Sequence, residues 1–115
     1  MDKYLHVSFN ALGDPTRLAV VERLLQGPAS VSELAEPHNM ALPAFTKHLG
    51  ILERAGLIRT EKNGRVRTCF IHTPAIEAID HWLSELRAIW GSRYDTLDSL
   101  ISKLNEAKND DEQAL

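Results

Sequence analysis

Ile76, Ile79, Leu83, Leu86, Trp90, Leu97, Leu100 and Leu104 recur at three- and four-residue spacing, the period of one face of a helix. Arg93 is the one polar residue on that seam, and Trp82, Ile89, Tyr94 and Ile101 widen it. A run of about 30 residues at 1.5 Å each makes a helix of about 45 Å, longer than a small domain can cover. The chain has 115 residues, which suits one domain with little room for a second. The far half of the helix therefore needs another chain over its apolar face, with Gly91 as the place where it bends. The expectation is a dimer whose seam includes Leu83, Leu86, Trp90, Leu97 and Leu100.

Ahead of that helix the punctuation is dense. Residues 3–12 carry enough apolar side chains for a short helix, which Gly13 breaks. Asp14-Pro15 reads as an N-cap followed by proline at the first helical position, where its missing N–H costs nothing. Leu18, Val21 and Leu25 continue at helical spacing, and Gly27-Pro28 stops the helix. Ser30-Val31-Ser32-Glu33 has the form of a capping box, in which serine and glutamate satisfy each other's orphan amides. The helix it opens must be short, because Pro37 disfavours helical geometry at Glu36. After a turn at 37–41, Pro43 sits near the start of another helix, with Phe45, Leu49 and Leu52 on one face and Gly56 as its stop.

Past Gly56 the period changes. Segments 57–61 and 66–71 are β-branched and alternating, with Lys62-Asn63-Gly64-Arg65 between them. Asn-Gly is a strong hairpin signal. The predicted fold class is therefore mainly α with a small β-hairpin wing (α+β). Two short helices joined by a tight turn, the second followed by a basic hairpin, make a winged helix-turn-helix. In that arrangement the second helix enters the major groove of DNA and surrounding groups clamp phosphates.

With Phe45, Leu49 and Leu52 inward, Leu42, Pro43, Thr46, Lys47 and Gly50 face out, and His48 lies to one side. Thr46 and Lys47 carry groups suited to base edges or phosphate, and Gly50 allows close backbone approach. Lys62, Asn63, Gly64, Arg65 and Arg67 form a wing suited to phosphate contact or minor-groove insertion. Ser30 and Ser32 are candidates for phosphate contact from the preceding helix, although a plain capping role serves Ser30 equally well.

The formal net charge of −3 argues only weakly against nucleic acid, since docking depends on the local field. Lys47, Arg54, Arg59, Lys62, Arg65 and Arg67 face only Glu53 and Glu61 within residues 41–72. The balance reverses in 95–115, where Lys103 and Lys108 stand against Asp95, Asp98, Glu106, Asp110, Asp111 and Glu112. The expected division is a DNA-binding and dimerisation domain over 1–105 and an acidic, disordered tail over 106–115. No apolar run approaches the length of a membrane span, and the first residues lack the design of a secretory signal. A cytoplasmic location is expected. A single cysteine, Cys69, excludes an intrachain disulfide and reads as a buried small hydrophobe.

Three segments carry a family resemblance. Phe9-Asn10-Ala11-Leu12-Gly13-Asp14-Pro15-Thr16-Arg17-Leu18 resembles the entry segment of ArsR/SmtB-type repressors. Pro43-Ala44-Phe45-Thr46-Lys47-His48-Leu49, followed by Leu52-Glu53-Arg54-Ala55-Gly56-Leu57-Ile58, is similar to their recognition helix and its exit, and Arg65-Val66-Arg67 to their wing. The resemblance runs from about residue 5 to residue 100. It implies a homodimer built on the first and last helices, adding Tyr4, Leu5 and Phe9 to the interface, and repression by occupying a pseudo-palindromic double-stranded operator. The Ala41-Leu42 entry departs from the hydroxyl-bearing N-cap usual in the family, which bears on the bases read.

Members of that family that sense metals often carry a Cys-x-Cys pair in the third helix or Asp/His/Glu ligands spaced along the last. Here Val31-Ser32-Glu33-Leu34-Ala35-Glu36 has no cysteine, and Asp80 and His81 are adjacent with no paired ligand downstream. Zinc requires three or four convergent ligands, so neither a metal site nor a cofactor is expected. No Gly-rich phosphate loop or catalytic triad is recognisable, and an enzyme is not expected. Two rival readings stay open: a winged-helix module that binds protein, and a repressor responding to a small molecule at its dimer interface.

Overall fold

The computed structural model describes residues 3–114, with the side chains of 92–97 and 107–114 outside the description. Its elements run α1 (Leu5–Leu12), α2 (Pro15–Leu24), β1 (Ala29–Ser30), α3 (Val31–Ala35), α4 (Leu42–Arg54), β2 (Ile58–Asn63), β3 (Val66–Ile71) and α5 (Thr73–Ala114). The caps act as their residue types require. Asp14 Oδ2 accepts from the amides of Thr16 (2.9 Å) and Arg17 (3.1 Å), with Pro15 opening α2. Ser30 and Glu33 close a reciprocal capping box at α3. Gly56 takes φ +77°, the left-handed conformation that ends α4 cheaply for glycine alone.

Two compact units divide the chain, one up to Asp80 and one from His81. The core of the first joins Val20, Val21 and Leu24 of α2, Leu34 of α3 and Phe45, Leu49 and Leu52 of α4 to Leu57, Ile58 and Cys69. Ala75, Ile76 and Ile79 at the start of α5 pack against it. In the second unit α5 continues as one helix, with Leu83 and Leu86 half-buried and Ile89, Trp90, Leu100, Ile101 and Leu104 exposed. Among the described residues no helix is long and apolar enough to cross a membrane.

Four details differ from the sequence reading. A third strand, β1, pairs antiparallel with β3 through Ala29↔Cys69 and Ser30↔Thr68, giving the sheet order β1-β3-β2. Two residues carry no periodicity, so only the pairing defines that strand. The hairpin closes at Asn63↔Val66, so its turn residues are Gly64 and Arg65 and not Asn63-Gly64. Gly64 has φ +65° while no non-glycine residue has positive φ among the described residues, the pattern of a II′ turn. Leu5, expected at the dimer interface, is only 8% exposed within its own protomer, because it shares the inward face of α1 with Ser8 and Ala11. Finally, α5 runs to Ala114, across the boundary expected at residue 105, with no glycine or proline after Gly91 to stop it.

Candidate nucleic-acid interface

Helix α4 owes its orientation to Phe45, Leu49 and Leu52, all buried at helical spacing. His38 in the preceding turn stacks on Phe45, with ring centroids 5.4 Å apart. The opposite face is thereby turned outward, and Leu42, Pro43, Ala44, Thr46 and Lys47 are exposed along it. Thr46 Oγ1 donates to the Pro43 carbonyl at 2.9 Å, which leaves its lone pairs to accept from a ligand. A Cβ at the half-buried Gly50 would meet only the Arg54 guanidinium, with Nη1 at 3.2 Å.

The wing stands beside this face. Lys62 and Arg67 are direct cross-strand partners, so two cations sit on one side of the ribbon together with Thr60. Arg67 Nη2 donates to Thr60 Oγ1 (3.3 Å), and Thr60 Oγ1 donates to Glu53 Oε1 of α4 (3.3 Å). This chain of contacts ties the wing to the recognition helix. A groove of about 340 Å³ runs between Ser32 at the start of α3, Leu42 and Thr46 of α4, and Arg65, Val66 and Arg67 of the wing. Lys47, Lys62 and Arg65 have no carboxylate partner among the described residues.

Not every expected residue is equally available. Ser30 Oγ accepts from the Glu33 amide (3.1 Å) and donates to Glu33 Oε1 (3.0 Å), so its hydroxyl is committed to the cap. His48 is half-buried and turned to α2. Its Nδ1 lies 3.1 Å from Arg17 Nη1 and 3.7 Å from Asp14 Oδ2. Arg59, on the other side of the ribbon, pairs with Glu61 and lies over the Phe70 ring at 4.3 Å, so its charge is spent within the fold.

Several residues matter here that sequence reasoning passed over. Arg17 joins three elements, because its Nε also donates to the Ala11 carbonyl of α1 at 2.7 Å. Its place in the Asp14-Pro15-Thr16-Arg17 segment was the only available signal. Thr60 and Glu53 form the wing-to-helix link, which needs the strand register to be seen. Val66, 53% exposed at the wing tip between two arginines, was legible as an apolar residue in a polar turn. Among the described residues no group of three or more His, Cys, Asp or Glu side chains converges as a metal site. His81 Nε2 and Glu85 Oε1 approach to 2.8 Å one turn apart on α5, as an exposed pair.

Known proteins share this arrangement. The helix-turn-helix domain family matches residues 12–61. A solved structure of an ArsR family transcriptional regulator, RHA00566, is 53% identical, spans 77% of this chain and 98% of its own, and superposes with a TM-score of 0.73. The HTH-type transcriptional regulator Rv2034 of Mycobacterium tuberculosis is 36% identical over 63% of this chain and 67% of its own length. The transcriptional repressor SdpR of Bacillus subtilis is 28% identical over 65% of this chain and 83% of its own.

Proposed function

Because the chain belongs to the ArsR/SmtB family of winged helix-turn-helix transcriptional regulators, we propose that it is a homodimeric repressor that occupies a pseudo-palindromic operator. As a family member it is a DNA-binding regulator and not an enzyme. The observation that carries the finer reading is the outward face of α4 beside Lys47, Lys62 and Arg65, cations with no carboxylate partner among the described residues. Exposed cations grouped without acidic partners suit a polyanion, and the duplex phosphates supply one.

Lys47 and the N-terminal half of α4 lie toward base edges, while Ser32, Lys62, Asn63, Gly64, Arg65 and Arg67 hold phosphates or the adjoining minor groove. Ser30 serves as the cap of α3, and His48 holds α4 against α2. A second copy covers the apolar stripe of α5, and two recognition helices then stand about 34 Å apart, one turn of DNA. Repression is the simplest consequence of such occupancy, in keeping with the repressor named among the relatives. A protein-binding module fits less well, since a partner protein would need a matching acidic patch against every one of these cations.

The test is fluorescence anisotropy of the protein with its own upstream region and with a scrambled duplex, over a salt series, with and without chelator. Tight binding to the first alone, weakening with salt and indifferent to chelator, is the expected result. Equal weak binding to both duplexes contradicts an operator in the protein's own upstream region, and chelator sensitivity contradicts metal independence.

A further inference from the structure

We propose that this regulator reads its operator half-site through thymine methyl groups, by way of an apolar patch centred on Leu42. The inference rests on the operator-binding reading above and specifies which chemistry of the base pairs is recognised.

The leading end of α4 is unusual in what it lacks. Ala41 occupies the N-cap and forms no side-chain cap hydrogen bond, and Pro43 follows at the second helical position. Ala41, Leu42, Pro43 and Ala44 are all exposed, Leu42 to 56%. Four consecutive residues at the end directed into a major groove thus offer no side-chain donor or acceptor. Thr46 has already given its hydroxyl proton to the Pro43 carbonyl, so Lys47 is the one side-chain donor in the first turn and a half. Apart from Lys47, which can reach guanine, such a surface makes none of the paired hydrogen bonds with which side chains distinguish adenine or guanine.

The major groove carries one apolar feature, the C5-methyl of thymine, which is in van der Waals reach of small and branched side chains. Leu42 is more than half exposed, and in place of Ala41 at the N-cap a serine, threonine or aspartate would stabilise the helix better. Leu42 also lines the groove shared with Arg65 and Arg67. The apolar patch is therefore bordered by wing cations suited to phosphate. An apolar protein surface would not match that neighbouring charge, whereas a thymine-bearing groove beside a phosphate backbone matches both.

The experiment is a selection of duplexes from a random library with the full-length protein, followed by replacement of each selected thymine with uracil. That change deletes one methyl and preserves every hydrogen-bonding atom. Loss of one buried methyl weakens binding about fourfold, hence about fifteenfold for a symmetric pair of half-sites. The expected result is thymine at fixed half-site positions, a loss of that size at one or two of them, and a Leu42→Ala protein that no longer distinguishes thymine from uracil. Because Leu42 is exposed, this variant keeps its fold, as circular dichroism will verify. A selected sequence whose affinity is the same with uracil overturns the proposal, as does a Leu42→Ala protein that retains the difference. Failure to select any sequence refutes operator binding itself and the inference with it.

Discussion

Gly50 lies within α4, where glycine costs about 1 kcal/mol relative to alanine. Its own fold does not require it, since an added Cβ would touch only the far end of the Arg54 side chain. A glycine retained against helix propensity is explained if a phosphate or base approaches the backbone there. Gly50→Ala should raise stability by about 0.5–1 kcal/mol in urea titration while weakening operator binding several-fold; unchanged affinity would remove Gly50 from the interface. Asp14 gives a second test at this scale. The Arg17 amide, foremost, holds its carboxyl below the ordinary value of 3.8, assisted by the His48 ring, the Arg17 guanidinium and the Thr16 amide against a partial burial that opposes them. A depressed folded-state value means that the unfolded chain takes up the proton first. The stabilisation is complete above about pH 4 and is lost as pH falls through the folded-state value. Melting temperatures of the wild type should therefore drop faster below pH 4 than those of Asp14→Asn, which keeps a capping oxygen but does not titrate.

At the scale of elements, the wing sacrifices stability. Lys62 and Arg67 are directly opposed, and like charges so placed repel. Among the described residues Arg67 obtains only a neutral hydroxyl, that of Thr60, in return. Lys62→Thr should stabilise the protein by up to about 1 kcal/mol. It should also reduce the slope of log affinity against log salt by about 0.9 for each phosphate no longer neutralised, or about 2 for the two wings of a dimer. An unchanged slope would show that Lys62 never meets phosphate. These elements were legible to different degrees, for physical reasons. Asp14-Pro15, the Ser30–Glu33 box and Gly56 act through neighbours one to four residues away, so sequence alone places them. Strand β1 exists only because Cys69 and Thr68 pair with it, and no local pattern announces that. The turn shifted by one residue, since both Asn63-Gly64 and Gly64-Arg65 permit a two-residue turn and the register of Ile58 and Cys69 in the core selects the second. His48 was visible as a polar residue beside the recognition face, but its attachment to Arg17 spans 31 positions of the chain.

For the whole molecule, the question is what covers α5. Ile89 is 77% exposed, Leu100 54% and Leu104 63%, and burying such a side chain is worth roughly 1.5–3 kcal/mol. A polar replacement at any of them would cost nothing in a protein that works as a monomer. Leu97, expected on the same seam, lies outside the described side chains. If a second copy of α5 covers this stripe, melting temperature should rise with protein concentration, because association stabilises the folded state by mass action. Leu100→Asp should abolish that dependence and yield a monomer in sedimentation, with the winged-helix unit still folded, since Leu100 belongs to the other unit, which begins at His81. The operator affinity of that monomer should fall by a factor of a hundred or more, roughly the gain expected when two linked sites bind one duplex together. Because each half-site interaction remains intact, the monomer should still weaken with salt, at about half the slope of the dimer. A Leu100→Asp protein that stays dimeric would move the interface elsewhere on the chain. A monomer that binds as tightly as the wild type would mean that one wing and one recognition helix suffice, and that the operator is not a paired site.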